Sequence, residues 1–366
     1  MLFAWTILDI LTRNWALVVM LTTIAALVAV PALVLLRYVR IALNIMRTTT
    51  PPLSRSPLDF ERLAGEPVEF SAFDGSRLAG MIIRAQPGCE RRGIVVFAHE
   101  FCSDMHSCAR YCRALNEAGY DIFTFDFRGH GQSPCPSEYT PRQWVTNREL
   151  DDIRGAVAFV QGWLDAQGYP SAIGLFGISR GACASVLLAA EDARIAAVFC
   201  DGAFSTDTTI ESLMKRWAYI FAKIRLLYET HPPAFWRFLR WWMMRFAQRE
   251  FRCRFPSVRR TLERMRPRPI FFVHGEKDSY LPIEQSRLLY AIAGQPKYFW
   301  MAPGAKHNQA AVLWPEEYAR LVVDFFDRHL ARPPRIRLAP PAAQAAVPRG
   351  ARPEAPAPHT ADATAP

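Results

Sequence analysis

Apolar and polar positions along this chain follow a strand–helix rhythm. Short apolar runs at 93–98, 121–126, 172–176, 195–200, 270–274 and 297–301 alternate with helically spaced segments at 103–118, 147–166, 283–292 and 315–330. Runs of five or six apolar residues bounded by turn residues read as buried strands, and the longer 3.6-period segments as helices. Strands joined by helices of this length imply βαβ crossovers, and hence a mainly parallel sheet with helices on both faces. Two earlier strands, 67–72 and 77–84, are joined through Asp74-Gly75. That junction is a hairpin signal, and it adds antiparallel strands at one edge of the sheet.

Two segments depart from the rhythm. Residues 15–36 are 22 consecutive uncharged, mostly apolar positions. At ~1.5 Å per residue they reach about 33 Å, enough to cross a bilayer's hydrocarbon core. A cleaved signal peptide is the competing reading, but the run is long for one and is preceded by both Asp9 and Arg13. Arg37, Arg40 and Arg47 follow it, so the positive-inside bias puts what comes after in the cytoplasm. The second departure, 204–268, interrupts the alternation before the strand at 270–274 and reads as a helical cap insert. The domain plan is therefore an anchor at 1–47, a proline-bearing linker at 48–60 and a catalytic domain at 61–332. A Pro/Ala-rich tail at 333–366 lacks the apolar periodicity needed to fold.

Charge changes the picture only locally. The chain carries 44 Lys/Arg and 34 Asp/Glu, a net +10, and the whole excess falls in 204–268, which holds 15 Lys/Arg against 5 Asp/Glu. On a helical projection of 234–250, Phe235, Leu239, Trp242, Met243 and Phe246 share one face, with Arg237, Arg240 and Arg245 on the other side. This pattern suits a cap packed over an active site, and equally a surface resting on anionic lipid. No nucleic-acid-binding motif accompanies the arginines, so nucleic acid is not an expected partner. The eight cysteines show no framework spacing, which fits a reducing compartment. His106, Cys108 and Cys112 match no strong zinc pattern, and no metal is expected.

Candidate chemistry centres on Gly177-Ile178-Ser179-Arg180-Gly181, a G-x-S-x-G elbow between an apolar strand and a small-residue helix. A serine hydroxyl needs a base, a group that orients the base, and donors for the developing oxyanion. His307, in a Gly/Pro-containing loop after the strand at 297–301, is the base. Asp278, just after the strand at 270–274, is the acid, with Asp201 in reserve and Glu276 less suitably placed. The oxyanion donors are the backbone N–H of Arg180 and, from the loop after 93–98, that of Phe101. His99 and Glu100 in that loop are candidate substrate-site residues, with His99 more easily read as structural. The run from Asp126 to Ser133 (DFRGHGQS) reads as a tight scaffold turn.

From about residue 67 to 330 the chain resembles the α/β-hydrolase superfamily, through GISRG, the HGEKD acid loop, the late His307 loop and DFRGHGQS. Within that superfamily it is similar to bacterial serine-aminopeptidase-like hydrolases. The resemblance implies an α/β-hydrolase fold and an ester, thioester or amide hydrolase without a cofactor. The family's usual His-Gly is here His99-Glu100, which puts a carboxylate beside the oxyanion loop and suggests selection of a cationic substrate group. The apolar cap and anchor favour an acyl ester or thioester, with peptide amides as the enzymatic alternative. A non-catalytic binding protein is the alternative of another class. Expected partners are a small acyl substrate and membrane lipid.

Overall fold

The computed structural model describes residues 14–48, 61–221 and 231–331. The linker, the tail and the start of the chain lie outside these residues. A long helix comes first, α1 (Trp15–Thr48), then strands β1 (Glu66–Ser71), β2 (Arg77–Ile83) and β3 (Gly93–Ala98). A 3-10 turn at Met105–Ser107 leads into α2 (Cys108–Glu117), β4 (Tyr120–Phe125) and α3 (Asn147–Ala166). Next come β5 (Ile173–Ile178), α4 (Arg180–Glu191) and β6 (Ile195–Asp201). Three insert helices follow, α5 (Thr206–Phe221), α6 (Pro233–Glu250) and α7 (Val258–Arg264). The chain then returns through β7 (Ile270–Gly275), α8 (Ile283–Ile292), β8 (Lys297–Ala302), α9 (Ala310–Leu313) and α10 (Pro315–His329).

The strands form one sheet in the order β1-β2-β4-β3-β5-β6-β7-β8. Only the hairpin partners are antiparallel, β1 to β2 and β2 to β4. Strands β4 to β8 and β3 pair in parallel, as continuous apolar runs covered on both faces require. Alternate side chains divide between two cores. On one face Ile94, Val96, Leu175 and Phe272 meet α3 and α4; on the other Val95, Phe97, Phe176 and Val273 meet α2 and α10. Chain order reverses direction around β3, so the carboxyl ends of β3, β5, β7 and β8 share one sheet edge, where ligands bind in open α/β sheets.

The helix at the amino end is longer than the apolar run. Trp15 to Val34 is almost wholly exposed, and these twenty residues span about 30 Å. Beyond them Val39, Ala42 and Met46 are buried, with Leu35 and Leu43 against the same core. The last turns of α1 therefore belong to the folded body. Its Arg47 pairs with Glu250 at 2.6 Å, joining the carboxyl ends of α1 and α6.

The buried face of α6 is displaced from the projected one. Trp236, Leu239, Met243, Met244 and Ala247 are buried, while Phe235, Trp242 and Phe246 are only partly so. Arg240, expected on the outer side, turns in to Glu211 of α5 at 2.6 Å. The buried stripe is thus shifted by about one position, toward the neighbouring helix that a helical projection does not include.

Candidate active site

Ser179 sits between β5 and α4 at φ 51° and ψ −113°, a left-handed conformation that a non-glycine residue adopts only under constraint. Its N–H donates to the carbonyl of Asp201 at 2.7 Å and its carbonyl accepts from Cys183 N–H at 3.1 Å. The flanking glycines make room for the turn. A Cβ on Gly177 would lie 2.5 Å from the backbone of Ala182, and one on Gly181 would lie 2.1 Å from the carbonyl oxygen of Ala98. The elbow is a sequence motif because only these residues let strand, helix and β3 approach so closely.

The histidine loop after β8 places His307 Nε2 3.0 Å from Ser179 Oγ. His307 Nδ1 lies 2.7 Å from Asp278 Oδ2, so the carboxylate accepts Nδ1–H and leaves Nε2 free to accept the serine proton. Asp278 Oδ1 accepts from the N–H groups of Tyr280 and Leu281 at 2.9 and 2.8 Å. Burial pushes this carboxyl's pKa up, but the hydrogen bond and charge of His307 outweigh it, and the net shift is down. Asp278 thus stays ionised at neutral pH.

The reserve acids are engaged elsewhere. Asp201 accepts from Tyr318 OH at 3.0 Å, and Glu276 accepts from Gly304 N–H at 2.7 Å. Burial raises the Asp201 pKa to about 6.

This architecture recurs in known proteins. Residues 89–236 match the family described as serine aminopeptidase, S33. The chain is 28% identical over 251 residues to the uncharacterized protein YfhR of Escherichia coli O157:H7, which covers 68% of this chain and 75% of that protein. It is 22% identical over 274 residues to the uncharacterized protein YqkD of Bacillus subtilis, covering 70% and 82% respectively. The solved Pyrococcus furiosus esterase Pf2001 aligns with a TM-score of 0.53 at 22% identity, covering 77% of this chain and all of that one. The chain has the α/β-hydrolase fold.

The β3 side of the site, where the candidate oxyanion donors lie, is built differently from the histidine side. Arg180 is the first residue of α4, where backbone N–H groups have no acceptor within the helix. Phe101 follows β3 in a turn whose next residue, Cys102, has φ 61°. No acceptor among the described residues takes the Phe101 N–H. His99 is wholly buried; its Nε2 accepts Phe127 N–H at 3.1 Å, so Nδ1–H donates to the carbonyl of Glu100 at 2.6 Å. Burial, aided by His130 and Arg180, holds the His99 pKa well below the usual range, which keeps the ring neutral. His99 pins the loop to the neighbouring β4 turn, and both of its ring nitrogens are occupied.

Glu100 does not offer a carboxylate to solvent. It is 3% exposed, with Tyr111 OH 3.5 Å from Oε1 and no partner for Oε2. Burial raises its pKa and favours the neutral acid. Selection of a cationic group requires an accessible charge, which this placement removes.

Several contributors were not legible as site residues. The Arg180 side chain, fully buried, lies over the rings of Phe101 at 5.1 Å and Phe127 at 4.9 Å. It donates to Arg142 O at 3.0 Å and to His130 Nε2 at 3.3 Å. Arg110 on α2 donates to the carbonyl of Asn308 at 2.6 Å, holding the residue after His307 at φ 55°. Asp126 accepts from Met105 N–H at 2.6 Å and Gln132 N–H at 2.8 Å, which explains the scaffold turn. Cys108 and Cys112 are packed in the core, and no group of three or more metal-ligating side chains gathers among the described residues.

Proposed function

We propose that this protein is a membrane-anchored serine hydrolase that cleaves an acyl ester or thioester. The observation that carries the reading is the relay from Ser179 Oγ through His307 to Asp278, at 3.0 and 2.7 Å. Ser179 attacks the carbonyl carbon while His307 Nε2 takes the hydroxyl proton and Asp278 stabilises the imidazolium. The oxyanion forms against the N–H groups of Arg180 and Phe101. His307 then protonates the leaving alcohol or thiol, and a water activated by the same histidine releases the acyl group.

An esterase is among the proteins of similar fold, which supports the ester class. The match to the serine aminopeptidase family favours a second reading, hydrolysis of a small peptide amide. The exposed apolar stretch of α1 supports anchoring, and the arginines after it support a cytoplasmic domain.

A fluorophosphonate probe tests the catalytic reading on the detergent-solubilised chain. Labelling of the wild type and none of Ser179→Ala is expected; labelling that survives the substitution overturns it. Comparing fluorogenic acyl esters, thioesters and aminoacyl amides then separates the two substrate readings. A reporter fused after Pro366 is expected to behave as cytoplasmic.

A further inference from the structure

Four exposed arginines at the carboxyl end of α6, Arg245, Arg249, Arg252 and Arg254, line an open cleft of about 590 Å³ with Asn147 and Gln248. No acidic side chain lines it, and none of the four guanidinium groups forms an ion pair among the described residues. Two other arginines of the insert do meet carboxylates, Arg240 with Glu211 and Arg259 with Glu263, and Glu250 is occupied by Arg47. The macrodipole of α6 accounts for a basic residue in its last turn, but not for Arg252 and Arg254 beyond it.

The turn that fans these side chains out is fixed. Arg254 N–H donates to Asn147 Oδ1 at 2.7 Å, and Asn147 N–H donates back to Arg254 O at 2.9 Å. Cys253 N–H donates to Gln248 O at 3.2 Å, and Arg252 is held at φ 49°. Four like charges kept together without a counter-ion repel one another, and the arrangement favours an anion that offers several acceptor oxygens. Planar guanidinium forks match a phosphate group. One turn back along the exposed face lie Trp241, 56% exposed, and Phe238, 55% exposed, with the Arg245 guanidinium 5.9 Å from the Trp241 ring. An anionic head beside an exposed aromatic pair is the pattern of an amphipathic ligand.

We propose that this cleft binds a phosphate-bearing anion, and that a phospholipid headgroup is the source the adjacent aromatics suit. The site is separate from Ser179, so its test does not depend on the catalytic reading. The full chain in detergent is titrated with dioleoyl phosphatidylglycerol, with zwitterionic dioleoyl phosphatidylcholine and with inorganic phosphate, and binding is read by native mass spectrometry. The same titrations are run on a variant carrying Arg245→Gln, Arg249→Gln, Arg252→Gln and Arg254→Gln, with melting curves as the folding control. Saturable phosphatidylglycerol binding, at least tenfold weaker in the variant and absent for phosphatidylcholine, supports a lipid source. Phosphate binding lost in the variant, without phosphatidylglycerol binding, supports the same site with a soluble source. Equal binding by wild type and variant for every probe overturns the proposal. If the fourfold variant melts early, the pair Arg249→Gln and Arg252→Gln replaces it under the same criteria.

Discussion

The two walls of the Ser179 site are held by opposite strategies. On the β7–β8 side the groups proposed to react themselves make the contacts: Ser179 to His307, His307 to Asp278, and Asp278 to two backbone N–H groups. On the β3 side the candidate donors are backbone N–H groups. Their positions are set by side chains that do not face the reaction, namely His99 behind the loop and the Arg180 guanidinium against Phe101. On the proposed mechanism, substitutions on the first wall remove chemistry, whereas those on the second displace it.

The largest effect expected is from Ser179→Ala, a fall of at least ~10⁴ in kcat/KM on a fluorogenic acyl ester, with the melting temperature nearly unchanged. Asp278→Asn comes next, at about 10³–10⁴ in kcat, because the amide favours the wrong histidine tautomer. Asp278→Asn falling by less than tenfold would mean that a different acid orients His307. On the other wall, His99→Ala frees Phe127 N–H and the Glu100 carbonyl. Its kcat is expected to fall about 10–100-fold with KM little changed, since a misplaced donor weakens mainly transition-state binding. An unchanged kcat would show that this loop does not set the hole.

A smaller effect concerns stability. Burial raises the Asp201 pKa to about 6, above the ordinary aspartate value, so the folded state holds this proton more tightly than the unfolded chain. Stability from this group is present at low pH and is lost as pH rises from about 4 to 6. By linkage the loss amounts to at most about 3 kcal/mol. Asp201→Asn is expected to flatten that part of the stability profile in denaturant titrations. The smallest effect expected is from Glu100→Gln, which should leave the kcat/KM ratio of cationic to neutral substrates within about twofold. A fivefold change would restore a substrate-facing role for the carboxyl.

How much could be read in advance follows the same division. Ser179, Asp278 and His307 were legible because each is a distinctive side chain at the end of an apolar run, in an informative order. The hairpin through Asp74-Gly75 and the parallel sheet were legible from local pattern. Arg110 and the Arg180 guanidinium were not, because they act on Asn308 and Phe101 across gaps that only the folded sheet closes. Trp236 was missed for a related reason: which face of α6 is buried depends on its packing against the body and α5, including the Arg240–Glu211 pair, and not on its own periodicity.

The burial of Val39, Ala42 and Met46 has a consequence for how the polypeptide can be divided. Burying Val39 and Met46 contributes roughly 2 kcal/mol each, and the Arg47–Glu250 pair adds a polar latch. A protease that cuts within residues 49–60 would thus break the covalent chain yet leave the two fragments associated, so that they co-purify. A version begun after Thr48 would expose the apolar surface that these turns cover, and it would tend to self-associate. The last turns of the amino-terminal helix pack like a bound subunit encoded in the same gene, while its exposed first turns remain free to serve as the proposed anchor.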